Sequence, residues 1–273
     1  MIGISFHSGG MVDKPLPWLI RHLQQIGYDA IEIVCGPRAH IRPGDATDSQ
    51  IQVVREELDQ AGLKCAAINP YTVKPLIEMQ QEDAQPFYRQ LIDLAVALGA
   101  PTVNFLPGRL PSNDADGWQL LVTALKPLLH YAGERGINMT IHNHENMVLD
   151  TPDKVRLVIE QVGMPNLKSL FDATNFHILG AEIPYAVERL APHLQHCHLK
   201  GVIGRFPFHH FLVPGEAGDE FDFPGLVGSL ARAGYHGYVS VETFSWMRED
   251  KAAVAHAMMQ PVLDRLGRAG TQG

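Results

Sequence analysis

The chain has 273 residues, a formal net charge of −8 and a pI near 5.9, and hydrophobic residues make up 45% of it. This hydrophobic content is ample for a large core and argues against disorder over most of the length. The acidic balance, with no Lys/Arg run, disfavours long nucleic acid as a partner.

The cysteines and the first residues indicate the cell compartment. Cys35, Cys65 and Cys197 are far apart and form no CxxC pair, which is typical of a reducing compartment without disulfides. The opening stretch MIGISFHSGG lacks the basic region and long apolar core of a signal peptide. No stretch approaches about 20 uninterrupted apolar residues, so we expect a cytoplasmic protein with no membrane partner.

Eight short apolar, β-rich runs recur along the chain and predict strands. They cover residues 2–7, 30–34, 64–69, 102–106, 138–143, 167–172, 194–200 and 238–242. Segments between them carry apolar residues at helical spacing, which predicts helices. The clearest of these segments are 16–26, 49–61, 84–98, 224–233 and 249–266.

Glycines mark the passage from helix to strand. Six of them stand just after a helical segment and just before an apolar run: Gly27, Gly62, Gly99, Gly136, Gly163 and Gly234. Glycine suits the left-handed residue that ends a helix. Alternating strands and helices predict parallel strands with right-handed crossovers, and eight such units predict a closed (β/α)8 TIM barrel of the α/β class. An open doubly wound sheet is the alternative, although no GxGxxG follows the first strand. With no linker or composition shift, we expect residues 1–273 to form a single TIM-barrel domain.

Polar or ionisable residues lie at the ends of all eight predicted strands. They are His7, Glu32, Asn69, Asn104, His142, Asp172, His198 and Glu242. In TIM barrels the carboxyl ends of the strands carry the active site. A barrel with a purely structural role does not need charged or metal-binding groups at most of these positions, so they predict a functional site there.

Four of these residues, from the last four strands, form a candidate metal site: His142, Asp172, His198 and Glu242. Each also has a structural interpretation, because Asp172 suits the N-terminal cap of a helix and a lone histidine is often a hydrogen-bonded core group. Mixed nitrogen and oxygen ligation suits transition metals better than Ca²⁺. We predict a divalent metal, with Mn²⁺ as the first choice and Mg²⁺, Co²⁺, Fe²⁺ or Zn²⁺ as alternatives.

The stretch IHNHE supplies a candidate catalytic base. Residues two apart in a strand point to the same face, so His142 and His144 project together. A neutral imidazole titrates near working pH and can take a proton from substrate, which makes His144 the candidate base. Lys200 either balances a developing oxyanion or only pairs with Glu242.

Five further residues are candidates for substrate binding: His7, Glu32, Asn175, His177 and Arg205. Glu32 either binds substrate hydroxyls or neutralises His7 across the barrel mouth. Arg205, in the long segment after the seventh strand, could meet an anionic group. His209 and His210 in the same segment are more simply interpreted as exposed loop histidines.

At these residues the chain resembles the xylose isomerase-like TIM barrel superfamily. That superfamily includes sugar isomerases and epimerases, inosose and dehydroshikimate dehydratases, and endonuclease IV. The resemblance covers nearly the whole chain and is carried by GYDAIEI, NMVLDTPDKVRLVIEQV, HCHLKG and LVPGEAGDEFDFPGLVGSLARAGYHGYVSVET. Its metal ligands lie on strands five to eight, so the resemblance assigns that role to His142, Asp172, His198 and Glu242.

One departure from the family pattern bears on the reaction. The isomerase and epimerase branch usually has Glu-Asn-His on strand five, and the glutamates of strands five and eight act there as two bases on opposite faces of the substrate. This chain has His142 in place of the first glutamate. His-x-His looks more like inosose dehydratase and the lyases of 3-keto sugars. On strand six, Asn175 stands where the family often has histidine, with His177 two residues further on.

The resemblance therefore implies a divalent-metal-dependent lyase or dehydratase of carbohydrate metabolism. Its substrate is a keto-sugar or cyclitol, from which it takes the proton α to a carbonyl and eliminates a β-oxygen, with Glu242 also catalytic. An isomerase or epimerase that uses the same enolisation is the alternative. We expect a small sugar-like substrate and a homo-oligomer, and we leave open a second, different subunit.

Two other classes of protein fit the sequence less well. An endonuclease IV-like phosphodiesterase would need further zinc ligands and a basic DNA-facing surface, which the charge of −8 disfavours. A barrel that only binds a sugar would have little need for so many ligand-type strand ends.

Overall fold

The centre of the molecule is a closed barrel of eight parallel strands, and the computed structural model describes residues 1–71, 73–109 and 115–270. The barrel strands are β1 (Gly3–His7), β2 (Ala30–Cys35), β3 (Lys64–Pro70), β4 (Thr102–Phe105), β5 (Asn138–His142), β6 (Leu167–Asp172), β7 (Leu194–Leu199) and β10 (Tyr238–Val241). Each neighbouring pair around the ring is parallel, and β1 pairs with β10 to close it. The predicted α/β TIM-barrel fold is confirmed, and the predicted strand ends lie within one residue of those observed.

Helices follow the barrel strands and cover the outside of the barrel. They are α1 (Leu16–Ile26), α2 (Asp48–Ala61), α3 (Gln81–Leu98), α4 (Ala115–Gly133), α5 (Pro152–Val162), α6 (Ala173–Ile178), α7 (Ile183–Leu190), α8 (Phe223–Arg232) and α9 (Lys251–Gly270). None of these described helices combines the length and the apolarity that a membrane crossing requires.

The segment between β7 and α8 contains a hairpin that the sequence did not predict. Its antiparallel strands, β8 (Gly201–Ile203) and β9 (His210–Leu212), are three residues each and lie outside the barrel sheet. Strands this short give too few alternating positions for a period-two pattern to be recognised. The hairpin rises beside the carboxyl end of β7.

The six glycines noted in the sequence adopt the conformation that their positions predict. Their φ angles lie between 66° for Gly163 and 108° for Gly27, which is the left-handed region. The Gly27 amide donates to the Leu23 and Gln24 carbonyls and thereby ends α1. A side chain at such a position would strain the backbone, so these glycines set where each helix turns back into the barrel.

Along β1, alternate side chains divide between the apolar layer and the barrel axis. Ile4 and Phe6 pack in the apolar cluster between strands and helices. Ser5 pairs with Ser240 of β10 inside the barrel. His7 comes one step further along the same face, at the carboxyl end, which places it at the barrel mouth.

The turn after β1 packs tightly against the end of β10. A Cβ atom on Gly10 would come within 2.2 Å of Thr243 Oγ1 and 3.1 Å of its carbonyl oxygen. We expect Gly10→Ala to lower the free energy of unfolding by about 1–3 kcal/mol, because the backbone beside Glu242 must move. Chemical denaturation of both proteins measures this difference.

Gly228→Ala is the matched control. Gly228 lies within α8, and its added Cβ would meet only Arg232 Nη1, at 3.4 Å, the tip of a flexible side chain. Alanine in a helix interior stabilises it by about 0.5–1 kcal/mol relative to glycine. Equal effects of the two substitutions would contradict the proposed tight contact at Gly10.

Candidate functional site

Four side chains that the sequence singled out meet at the carboxyl end of the barrel. His142, Asp172, His198 and Glu242 each offer one nitrogen or carboxylate oxygen, and these four atoms lie within 4.8 Å of one another. The first three residues are buried, and the Glu242 side chain is 17% exposed. The fold therefore forms the predicted cluster, while its occupation by a metal stays a prediction.

Asp172 serves the cluster and the adjoining helix at once. Its Oδ1 accepts a hydrogen bond of 2.8 Å from the Asn175 backbone amide and caps α6. Its Oδ2 lies 3.0 Å from His142 Nε2. Because the two oxygens do different work, the capping and ligand interpretations of Asp172 are compatible.

Asn143, which the sequence reasoning left without a role, holds the ends of β5 and β6 together. Its side chain donates to the Asp172 carbonyl at 3.0 Å and accepts from the Asp172 amide at 2.8 Å. Its own carbonyl accepts from Asn175 Nδ2 at 3.0 Å. The sequence carried one signal for this role. Alternation along the strand turns Asn143 away from His142 and His144, and a polar residue buried on that side needs hydrogen-bond partners.

Asn175 lies in the first turn of α6, beside the end of β6. It is fully buried, and its amide groups bind Asp172 and Asn143, as just described. These contacts support the end of β6. The Asn175 Oδ1 is buried without a partner among the described residues, and the role of Asn175 in substrate binding stays a prediction.

Lys200 is a buried cation between the two carboxylates of the cluster. Its ammonium contacts Asp172 Oδ2 and lies 2.9 Å from Glu242 Oε2. Burial alone would lower the pKa of Lys200, but Asp172 and Glu242 outweigh it and raise that pKa. Burial raises the pKa of Asp172, yet Lys200 and His142 lower it to about 2, and Lys200 and His198 hold the pKa of Glu242 well below its usual range. Pairing of Lys200 with Glu242 is therefore observed.

Glu32 has partners other than the two considered from the sequence. Its carboxylate is fully buried and lies 2.8 Å from both His196 Nε2 and His198 Nε2. It also accepts from the side-chain amides of Asn69 at 2.6 Å and Asn104 at 2.7 Å. These four hydrogen-bond donors satisfy the buried Glu32 carboxylate, and its role in substrate binding stays a prediction. Burial raises its pKa, but His198 and His196 lower it well below the usual range.

Glu32 fixes the orientation of His198. With Nε2–H donated to Glu32, the second nitrogen, Nδ1, faces Glu242 Oε2 at 3.2 Å. A carboxylate that holds one imidazole nitrogen while the other faces a metal is a recurrent arrangement in metal sites. Burial lowers the pKa of His198, but Glu32 and Glu242 raise it to about 10.

A second group of ligand-type atoms, from Glu32, His196 and His198, lies below the first. The side-chain amides of Asn69 and Asn104 already donate hydrogen bonds to the Glu32 carboxylate. These contacts are those of a satisfied hydrogen-bond network, and we assign this group the role of supporting His198.

His144 lies beside the cluster, two residues beyond the end of β5. Its ring centroid is 5.6 Å from that of His142, and its side chain is 33% exposed. Nδ1 lies 2.9 Å from the Glu145 carbonyl oxygen, an arrangement in which Nδ1–H donates and Nε2 keeps its lone pair. Burial lowers the pKa of His144, but Glu145 raises it above the ordinary value. This placement suits a base, a role that stays a prediction.

The other predicted substrate-binding residues lie in two places. His7 is at the barrel mouth with its ring 5.5 Å from that of His198, and burial lowers its pKa. His177 packs against Phe221 at 5.3 Å, and burial and Arg205 lower its pKa. Arg205 is half exposed on the β8–β9 hairpin, 3.9 Å from a Glu220 carboxylate oxygen. His7 is therefore next to the cluster, whereas His177 and Arg205 belong to the hairpin side.

Comparison with curated proteins gives relatives of two kinds. A human protein provisionally named hydroxypyruvate isomerase is 27% identical over 263 residues, which cover 85% of this chain and 88% of that protein. An inosose dehydratase of Geobacillus thermodenitrificans is 24% identical over 140 residues, or 46% of each chain.

Solved structures and family profiles agree with the observed barrel. A xylose isomerase-like TIM barrel protein from Mycobacterium smegmatis, solved in complex with magnesium, superposes with a TM-score of 0.77 at 20% identity over 98% of both chains. The family profile described as "Xylose isomerase-like TIM barrel" matches residues 20–262. This chain belongs to the xylose isomerase-like TIM barrel family.

Proposed function

We propose that this protein is a divalent-metal-dependent lyase or dehydratase acting on a keto-sugar or cyclitol-type substrate. In the proposed reaction the enzyme removes the proton α to a carbonyl and expels an oxygen from the β-carbon. The observation that carries the proposal is the convergence of four ligand-type atoms, from four consecutive barrel strands, within 4.8 Å. The name of one of the two curated relatives, an inosose dehydratase, supports it.

The donor set fits a divalent metal, which His142, Asp172, His198 and Glu242 would hold. Two imidazoles and two carboxylates match Mn²⁺, Fe²⁺, Co²⁺ or Zn²⁺ better than Ca²⁺, and Mn²⁺ remains our first choice. A bound dication would polarise the substrate carbonyl and make the neighbouring C–H more acidic.

The chain's own groups divide the proton handling between them. His144 Nε2 carries a lone pair beside the cluster, so we assign His144 the removal of the α-proton. The Lys200 ammonium, held in place by Asp172, supplies positive charge where an oxyanion develops. Glu242 lies at the partly exposed edge of the cluster and is the second group that can give or take a proton.

An isomerase or epimerase is the second candidate, because both reactions begin with the same proton removal. The human relative, which matches 85% of this chain, favours it. The lyase remains our first choice because His142 replaces the glutamate that the isomerase branch usually carries on strand five. Only the fate of the proton and of the β-oxygen separates the two reactions.

We expect the His144→Gln variant to lose substrate-proton exchange. Metal-loaded wild type, incubated in D₂O with a panel of keto-sugars and an inosose, should exchange the α-proton and release the β-oxygen as water or alcohol. His144→Gln should slow exchange by about 10²–10⁴-fold, the usual contribution of a positioned base, with its metal content unchanged. NMR of the substrate measures exchange and elimination together.

His193→Gln is the control, since His193 lies just before β7, at the opposite end of the barrel strand from His198. It should exchange protons like the wild type. Unchanged exchange in His144→Gln would show that another group is the base. Exchange with interconversion of sugars and no elimination would favour the isomerase.

A further inference from the structure

Five aromatic side chains form a row whose middle ring lies beside the Lys200 ammonium and whose two ends are exposed to solvent. We call this row the aromatic ridge, and its members are Phe206, His209, Phe211, Phe244 and Trp246. Three come from the β8–β9 hairpin and two from the segment after β10. No role in the proposed reaction accounts for them.

The ridge is continuous on both sides of Phe211, the ring nearest the cluster. Lys200 Nζ lies 5.2 Å from the Phe211 ring centroid. Phe211 and Phe244 are 5.6 Å apart, and so are Phe244 and Trp246, whose planes differ by only 2°. The ring of His209 packs edge-on against Phe211 at 4.8 Å. The outermost ring is therefore two ring steps beyond the one that touches the catalytic lysine.

The outer part of the ridge is exposed although it is large and apolar. Trp246 is 72% exposed and Phe206 is 39% exposed. Two parallel rings beside an opening offer flat apolar faces, which suit the C–H face of a sugar ring. A single reacting sugar at the cluster would leave Trp246 uncovered.

The ridge also contains polar groups without partners. His209 Nδ1 is buried and has no hydrogen-bond partner in the described part of the chain. His177 Nε2, on the same side of the hairpin, is in the same condition. A buried polar atom without a partner is costly, so both side chains would gain from a shift that brings a ligand hydroxyl within reach. Apolar rings interleaved with polar nitrogens suit a sugar better than an acyl chain or an apolar protein surface.

We propose that the aromatic ridge binds a second hexose ring, joined through a glycosidic oxygen to the sugar that reacts at the cluster. The inference rests on the proposed function and specifies its substrate as a keto-sugar glycoside. His144 takes the α-proton, the C–H electron pair forms the C=C bond, and the bond between the β-carbon and the glycosidic oxygen breaks. That oxygen takes one proton from solvent, His144 returns the α-proton to solvent, and the second sugar leaves as its free alcohol, so no oxidant or reductant is required.

The test is equilibrium binding of sugars to the metal-loaded protein, followed by saturation-transfer NMR and calorimetry. The two-ring probes are cellobiose and maltose, and the one-ring probe is glucose. We expect at least one disaccharide to bind about tenfold more tightly than glucose, a factor that one added aromatic contact can supply. Saturation should reach the protons of both rings.

Trp246→Ala should remove most of this preference for two rings. Phe208→Ala is the matched control, because Phe208 is 88% exposed on the same hairpin but lies outside the row of stacked rings. It should retain the preference. The proposal would be overturned if the wild type bound the disaccharides no more tightly than glucose, or bound none of the probes. Equal effects of Trp246→Ala and Phe208→Ala would overturn it as well.

Light scattering distinguishes the other occupant, a second copy of this chain. A change of oligomeric state in Trp246→Ala would mean that the ridge is a subunit contact and would overturn the inference. The binding assay needs no turnover, so its failure leaves the proton-exchange test of the proposed function intact. Failure of proton exchange with the two-ring preference preserved would instead count against the proposed reaction.

Discussion

The His198→Ala variant should lose its divalent metal and, with it, proton exchange on substrate. His198 supplies one of the four converging ligand atoms, and its removal also leaves Glu32 and Glu242 without their shared histidine. Elemental analysis of wild type and variant, purified without chelator and then loaded with manganese, measures the loss. We expect near-stoichiometric transition metal in the wild type and a large depletion in the variant.

Two further variants separate loss of a ligand from loss of structure. His193→Ala removes a histidine at the other end of β7 and should keep the metal. Glu32→Gln keeps all four ligands but disturbs the hydrogen bond that orients His198, so it should weaken metal binding by about 10–100-fold. Wild type without metal, even after manganese loading, would contradict the proposed function and favour a barrel that only binds a sugar.

Much of the fold could be predicted because the helix-ending glycines and the spacing of apolar residues indicate the same element boundaries along the chain. Gly62 and Gly99 each end a helix with a left-handed residue, as their position before an apolar run predicts. Once eight such units are counted, a closed barrel brings the strand ends together. That is why His142 and His198, distant in sequence, could be expected at one site.

Depth within the barrel could not be predicted. Glu32 and Glu242 both lie at or near strand ends, yet Glu32 is fully buried among hydrogen-bond donors and Glu242 is partly exposed. The difference depends on the stagger of neighbouring strands, including the shift of register between Ile31 and Glu32 where β2 pairs with β3. Alternation along one strand does not encode this stagger.

The aromatic ridge could not be predicted from the sequence for a different reason. Phe211 and Phe244 are far apart in sequence and belong to irregular or very short elements, where no periodicity marks a shared face. Their contact at 5.6 Å exists only because the β8–β9 hairpin folds beside the end of β10. We expected His209 and His210 to be exposed loop histidines. His210 is exposed, whereas His209 packs between Phe206 and Phe211.

The Lys200→Met variant should bind metal more tightly while it loses activity. In the metal-free protein Lys200 is the cation that Asp172 and Glu242 share. Removing it leaves Asp172 and Glu242 without the cation that they share, so the metal-free variant should lose about 3–5 kcal/mol of unfolding free energy. A dication then no longer competes with an ammonium group for the same oxygens, so its affinity and the thermal stabilisation that it gives should both rise.

Activity separates the two roles that the sequence allowed for Lys200. If the ammonium also stabilises a developing oxyanion, substrate-proton exchange should fall by about 10²–10³-fold although the metal is bound more tightly. Lys251→Met is the matched control, since Lys251 is also buried but contacts only the Met247 carbonyl among the described hydrogen bonds. That substitution should leave metal affinity unchanged. Unchanged exchange in Lys200→Met would restrict Lys200 to charge balance. Unchanged metal affinity would show that lysine and metal do not compete, which would contradict the assignment of Asp172 and Glu242 as metal ligands.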